Sequence, residues 1–424
     1  LNKALTNAIH LVESGRTEEG LNKLEQLEND LHDEEKFTLA EYYFKWGIVD
    51  KSLAIMEDLH ALYPEESDII LFLAEIYMEY DQEEQAIHLL NQIDVRDEAY
   101  PQCLLLLADL YQLQGLPEVS EQKLQEAKKI LPDEKVIDFA LGELYFHSGK
   151  YKKAILAYQQ VLNEYDELSN VNIYNRVAEC LSASGRFEEA LSYFEKGMQK
   201  QEDIHTIFSF GFTALQAEYY QTAIKQFEKV KSLDPEYTSV YLFLAKSYEY
   251  EGMLKESLET VNEGLKYDSF NKELYLYGGK VALKNKRPEE AEKMLKEALA
   301  LDPGYIEAAI TLTDFYLSIG KYEETIEILS EIMADDGEFD PKFHWTLARA
   351  YNEIERYSDA LNHYQHAYTF FKDDFDFLQE YAHFLLEEGD RKHAKELFEK
   401  LLKLDPTNVE IYDILEQLDD NFSE

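Results

Sequence analysis

The chain has 424 residues, a formal charge of −45, and two cysteines among 31 tyrosines and 23 phenylalanines. Length alone points to two or three globular domains, while two cysteines far apart, Cys103 and Cys180, argue against a disulfide framework and for a reducing compartment. A field of this sign repels nucleic acid and anionic lipid and attracts basic proteins over roughly 8 Å at physiological salt, so nucleic-acid binding is not expected.

The charge is uneven: residues 1–100 carry about −17, residues 101–300 about −8 and residues 301–424 about −20. No apolar run approaches the roughly 18 residues of a membrane span. The opening LNKALTNAIHL resembles no secretory signal. A soluble, cytoplasmic protein is expected, with no membrane contact and no cofactor.

From the N-terminus onward the chain reads as a succession of helix pairs, and residues 136–162, VIDFALGELYFHSGKYKKAILAYQQVL, show the pattern best. Phe139, Gly142 and Tyr145 share one face of a first helix, which stops at Ser148-Gly149 because glycine takes the left-handed conformation cheaply. Tyr151 opens a second helix through Ala154, Ile155, Tyr158 and Leu162. The position of Ala154 is filled in turn by Gly20, Ser52, Ala86, Ser120, Ala154, Ala190, Ala223, Ser257, Ala291, Thr325, Ala360 and Ala394, all small. Their spacing is about 34 residues.

Repeat one, residues 1–32, is short and reads as a worn N-terminal cap. Repeats two to four follow at regular length, with Asp81 in place of the turn glycine of the third. The fifth carries an insertion, NEYDELSN, at residues 163–170, a candidate hinge or kink. Seven more repeats run to about residue 408, loosened at Gly337 and Asp340-Pro341. Residues 409–418 form an amphipathic capping helix, with Ile411, Ile414, Leu415 and Leu418 inward and Glu410, Asp413, Glu416 and Asp419 outward. The division expected is 1–168, 169–408 and a cap with tail at 409–424.

Gly142 matches Ala8, Ala40, Ala74, Ala108, Ala178, Gly211, Ala245, Gly279, Thr313, Ala348 and Ala382. Tyr145 matches Tyr43, Tyr77, Tyr111, Tyr248, Tyr316 and Tyr351, and the closing proline recurs at Pro64, Pro132, Pro235, Pro303 and Pro406. On these residues the chain resembles the tetratricopeptide repeat (TPR) family over essentially its whole length. The resemblance implies an all-α, right-handed superhelical solenoid of about twelve helix-turn-helix repeats plus the capping helix.

It also implies that the first helices line a groove into which positions two, five, nine, twelve and thirteen of each repeat point. Position nine, next to the small residue of the first helix, reads Ile9, Glu41, Glu75, Asp109, Glu143, Glu179, Phe212, Lys246, Lys280, Asp314, Arg349 and His383. Five successive carboxylates form a ladder with steps of roughly 10 Å. They suit a Lys- or Arg-bearing peptide or protein surface as charge-assisted acceptors; a solvated acidic face is the alternative. Phe44, Phe146 and Phe212 are expected exposed beside the ladder as hot-spot rings, whereas Phe37, Phe139, Phe208 and Trp345 at position five suit packing or partner contact. Lys246, Lys280 and Lys284 could meet an acidic segment.

The family's clamp for C-terminal carboxylates is absent: Glu41, Glu75 and Asp109 would repel such a tail and no lysine occupies position five. His363 and His366 lie three apart without a third metal ligand, and nothing pairs a nucleophile with a base. The expected function is a non-enzymatic scaffold or adaptor with a basic or basic-apolar protein partner, whose balanced middle could hold a second partner or a copy of itself. The alternative is a regulatory subunit that alters a cytoplasmic enzyme.

Overall fold

The computed structural model describes residues 3–199, 202–334 and 340–421, with side chains as far as residue 418 at the C-terminal end. Among them stand twenty-five α-helices, twelve successive pairs and a last single helix. The expected junction at Gly337 and the side chain of Asp419 lie outside the described residues.

The chain divides into two compact units, residues 1–209 and 210–424. The first holds α1 (Lys3–Glu13) and α2 (Thr17–Leu27), α3 (Asp33–Lys45) and α4 (Val49–Leu62), and α5 (Ser67–Glu79) and α6 (Glu83–Leu90). It continues with α7 (Tyr100–Leu113) and α8 (Pro117–Ile130), α9 (Lys135–His147) and α10 (Tyr151–Leu162), and α11 (Ile173–Ala183) and α12 (Phe187–Met198). The boundary between units falls within α13 (Ile204–Gln216).

The second unit continues with α14 (Tyr220–Leu233), α15 (Ser239–Tyr250), α16 (Leu254–Tyr267), α17 (Lys272–Lys284), α18 (Pro288–Leu301) and α19 (Ile306–Ser318). It closes with α20 (Tyr322–Ala334), α21 (Lys342–Glu353), α22 (Tyr357–Phe371), α23 (Phe375–Glu387), α24 (Arg391–Leu404) and α25 (Val409–Asn421).

Small residues let the helices of a pair cross closely. A Cβ on Gly142 would come within 2.5 Å of the Tyr158 ring, and one on Gly211 within 2.8 Å of Phe227. Tyr158, Phe194, Phe227, Tyr364 and Phe398 are accordingly at most 1% exposed. Each such ring contributes about 2–3 kcal/mol by leaving water.

Every turn within a pair passes through the left-handed region. Glycine supplies it at eight of the twelve, Gly149 among them (φ 68°), while Asp81, Glu218, Lys286 and Glu355 adopt it with φ between 55° and 64°. The latter four bear steric strain that glycine avoids.

Successive repeats are tied by tyrosines at the position of Tyr145. Tyr77, Tyr145, Tyr248 and Tyr316 each donate a hydrogen bond to a glutamate of the preceding second helix, Glu57, Glu121, Glu228 and Glu292, at 2.8–2.9 Å. First helices also meet the next first helix, α5 with α7 and α7 with α9 in the first unit, and α15, α17, α19 and α21 in series in the second. Within each unit, these contacts set position-nine side chains on neighbouring first helices.

Two local features add detail beyond the repeat pattern. The insertion at 163–170 becomes the start of a small antiparallel hairpin, β1 (Glu167–Leu168) and β2 (Val171–Asn172), because Ser169 and Asn170 both take positive φ (50° and 61°), as a two-residue hairpin turn requires. The sequence boundary after residue 168 falls at this hairpin, within the first unit. The third repeat keeps its length but has a short second helix: α6 stops at Leu90, where the Asn91 side chain donates to the Ile87 carbonyl at 2.8 Å and Asp94 and Asp97 cap the backbone of the following turn.

The capping helix α25 packs on α24 with Ile411 and Leu418 buried and Ile414 and Leu415 half-buried, while Glu410, Asp413 and Glu416 are exposed, as the pattern predicts. Among the described residues no helix is long and apolar enough to cross a membrane.

Candidate functional site

The position-nine side chains stand one per first helix, so their surroundings can be followed repeat by repeat. In the first unit, α3 opens with Asp33, Glu34 and Glu35, acids that suit the positive end of the helix dipole, and carries Phe37, Glu41 and Phe44 along one face. Glu75 on α5 and Asp109 on α7 continue the row. No hydrogen bond or ion pair reaches Glu41, Glu75 or Asp109 among the described residues. Glu75 is half-buried, and burial pushes its carboxyl above the ordinary glutamate range. The Asp109 side chain reaches solvent, yet the protein packed around it pushes its carboxyl up in the same way.

The next two rungs differ. Glu143 on α9 accepts the Tyr158 hydroxyl at 2.6 Å and a forked pair of bonds from Arg176, Nε to Oε1 at 3.0 Å and Nη2 to Oε2 at 3.2 Å. Arg176 also donates Nη1 to Glu179 at 3.0 Å, and its guanidinium lies 5.1 Å from the centre of the Phe146 ring. Burial raises the Glu179 carboxyl against the pull of Arg176, whereas Arg176 is held charged by its two carboxylates. The structure therefore divides the five-carboxylate ladder into three open rungs and two answered from within the chain.

In the second unit the position-nine charges also have local answers. Lys246 lies over the Phe243 and Tyr277 rings at 5.7 and 5.8 Å. Lys280 pairs with Glu307, Asp314 with Lys342 at 2.9 Å, and Arg349 with Glu380 at 3.5 Å. Glu380 further accepts the Trp345 indole N–H at 3.1 Å and the Tyr364 hydroxyl at 2.8 Å. Lys284 pairs with Glu249, which also accepts from Tyr277. These lysines line a groove of about 710 Å³ with Leu242, Leu276 and Tyr305.

The rings expected to be exposed are half-buried instead. Phe44 meets Phe72 edge-on at 5.5 Å, Phe146 lies beneath Arg176, and Phe212 meets Phe243 edge-on at 5.4 Å. In each case a side chain of the next repeat covers the ring, which a single repeat read alone does not show. Phe208 is half-buried, and Trp345 packs between Phe371 and Phe377.

The sequence reading also missed residues that share the first groove. A cavity of about 530 Å³ beside α3 is walled by Asp33, Glu34, Glu66 and Asp68 and floored by Phe37, Leu59 and Ile69. The acids sit at the starts of first helices, before the position-nine column, where a nine-only reading does not look.

His363 and His366 gain His344 as a neighbour: its ring nitrogen lies 2.8 Å from that of His363, and it stacks on His366 at 4.9 Å. Burial and the adjacent imidazoles push His363 down to about 4. Among the described residues no group of three potential ligands could hold a metal ion. Cys103 and Cys180 are buried, with thiols pushed up by burial to about 11 and about 12, as small apolar core residues.

Family models described as YpiA-like tetratricopeptide repeats match residues 112–165, and YpiA-like C-terminal tetratricopeptide repeats match residues 341–408. Tetratricopeptide repeat models match residues 49–110, 139–201, 242–306 and 282–350. The chain is similar to the anaphase-promoting complex subunit 7 of Arabidopsis thaliana, 30% identical over 180 residues, covering 42% of this chain and 32% of that one. A chain in the crystal structure of the APC/C hetero-tetramer Cut9-Hcn1 is 12% identical with a TM-score of 0.39, over 98% of this chain and 96% of that one. The TPR repeat-containing protein YpiA of Bacillus subtilis (strain 168) is 49% identical over 423 residues, 100% of each chain. With that full-length identity laid over twelve helix pairs, the chain belongs to the YpiA-like family of tetratricopeptide repeat proteins.

Proposed function

We propose that the chain is a non-enzymatic, cytoplasmic protein-interaction scaffold that holds a basic or basic-apolar partner against α3, α5 and α7. One observation carries this reading. From Glu143 onward every charged position-nine side chain is answered within the chain by an opposite charge or an aromatic ring, as His383 is by the Phe398 ring at 5.2 Å, and among the described residues Glu41, Glu75 and Asp109 are not. Glu75 is half-buried, and the protein around Asp109 raises its carboxyl as well, so these unanswered charges weaken the fold and a cation from outside has the most to gain beside them. The adjoining cavity, with four acids over an apolar floor, extends the same chemistry. The plant relative is by name a subunit of a complex, which is in line with a scaffold role.

The groove beside Lys246, Lys280 and Lys284 is a second docking surface in this reading, with balanced charge. The total of −45 disfavours both nucleic acid and a second copy of the chain.

The test is capture from native lysate with the purified chain and with a Glu41→Lys, Glu75→Lys, Asp109→Lys variant of unchanged helical circular dichroism. A basic partner should be retained by the first, released by salt, and lost by the second. Equal capture by both defeats the assignment of the groove.

A further inference from the structure

We propose that the eleventh repeat carries an acid-sensitive joint: the imidazoles of His344, His363 and His366 hold α21 against α22 while neutral, and proton uptake by His363 loosens the pair. The joint is a property of the second unit and does not depend on the partner proposed for the first.

His344 comes from α21, and His363 and His366 come from α22. The Nδ1 atoms of His344 and His363 lie 2.8 Å apart, a distance at which they share a single hydrogen, so one ring donates and the other accepts. His366 directs its own Nδ1 at the Asn362 carbonyl, 2.7 Å away, and stacks on His344 with 4.9 Å between ring centres and 15° between planes. Tyr351 of α21 stacks on His363 at 5.4 Å and 17°. Ring contacts between the two helices therefore run through His363 and His344.

A further proton fits this arrangement badly. Added to the accepting Nδ1, it sets two N–H groups against each other at the 2.8 Å contact and removes the bond. His344 and His363 are both half-buried. Burial first, then the adjacent imidazoles, push His363 down to about 4, and burial with His366 pushes His344 down as well. Among the described residues Asp359, one turn earlier on α22, is the acid that favours a charge on His363, and it is held by Arg356 at 2.7 Å. Arg356 in turn lies over the Tyr351 ring at 4.7 Å. Helices α19 and α20 pack on α21 and α23 packs on α22; none of them adds a charged group to those acting on His363 among the described residues.

Once α21 and α22 part, His363 returns to the ordinary histidine value of about 6.5. Because its folded-state value is depressed, the contact is complete above pH 6.5 and weakens as the pH falls from there to about 4. Between pH 7 and pH 5 the opening equilibrium of the repeat should rise about ten- to twentyfold.

The test is amide hydrogen exchange of the unmodified chain at pH 7 and pH 5, corrected for intrinsic rates and resolved by mass spectrometry. Protection in α21 and α22 should fall about ten- to twentyfold. Protection in α15 to α18 should hold, since residues 239–301 contain no histidine. His363→Asn keeps a hydrogen-bonding atom near the place of Nδ1 and takes up no proton, so it should remove the response. His10→Gln, at an exposed position of α1, should keep it. Exchange of the imidazole C2 hydrogens gives the same answer without a substitution: in the unmodified chain His363 should titrate well below the ordinary histidine value.

An equal change in α21–α22 and α15–α18, or no change in either, overturns the joint. A response that survives His363→Asn overturns the assignment to His363. Where that variant weakens the repeat already at pH 7, the C2 titration decides, and an ordinary value for His363 overturns the assignment in the same way.

Discussion

Replacing Glu292 by glutamine removes the charge on which donors of two repeats converge. Lys296 Nζ, Lys321 Nζ and the Tyr316 hydroxyl each reach its carboxylate at 2.8 Å. These bonds, that of Lys296 first, hold the carboxyl down to about 2, against an ordinary 4.5. A shift of about 2.5 units corresponds to a ceiling of about 3.4 kcal/mol. Lys296 and Lys321 are 56% and 35% exposed, so solvent screening reduces this to about 1–2 kcal/mol. Because the folded-state value is depressed, the contribution is complete above pH 4.5 and disappears as the pH falls from there to about 2.

Urea unfolding of the full chain, followed by hydrogen exchange in α18 and α19, should show the Glu292→Gln variant less stable by that amount at pH 7, with the gap narrowing at pH 4 and again at pH 3. Local exchange is the suitable readout because repeat stability is a sum over neighbours, and a global midpoint dilutes a change at one interface. Equal protection at pH 7, or a gap unchanged at pH 3, refutes the reasoning.

Glycine at a strained turn should stabilise: Lys286→Gly or Glu218→Gly relieves a positive φ of 56° or 64° and should gain about 0.5–1 kcal/mol, read as a higher thermal midpoint. The opposite sign is expected for Gly197→Ala, whose Cβ would lie 1.8 Å from Asn175 Oδ1 and crowd the Asn172 side chain that donates to the Gly197 carbonyl; it should cost about 3 kcal/mol in urea unfolding. Asn175→Ala in the same chain should restore most of that loss.

The helix pairs were legible because each repeat states its own rules: a small residue at the crossing, a left-handed turn, an aromatic ring on the second helix. Asp81 could be placed in a left-handed turn without glycine because its neighbours in the period have Gly47 and Gly115 there. The hairpin at 167–172 was not legible as such, since two residues on each side of Ser169-Asn170 are too few for an alternating pattern to emerge. The early end of α6 escaped for a similar reason, its turn being held by side-chain caps rather than by glycine or proline.

At the site, the residue types were readable and their pairings were not. Arg176 is three residues from Glu179 on one helix, a spacing that sequence can show. Its bonds to Glu143, 33 residues earlier, depend on how repeat six packs against repeat five. The covering of Phe44 by Phe72 and of Phe146 by Arg176 is likewise a property of adjacent repeats. Reading position six as well as position nine would have revealed the contrast between Phe72 and Arg176.

The open rungs have a consequence for redesign. Glu75 and Asp109 are charged side chains held where the protein around them opposes their ionisation, with no partner among the described residues to offset the loss. Neutral substitutes there leave every hydrogen bond of the fold intact and should raise its melting temperature. A programme that ranked substitutions by thermal tolerance would therefore choose these two positions early, and on the proposed role of these carboxylates would produce a hardier protein deaf to its partner.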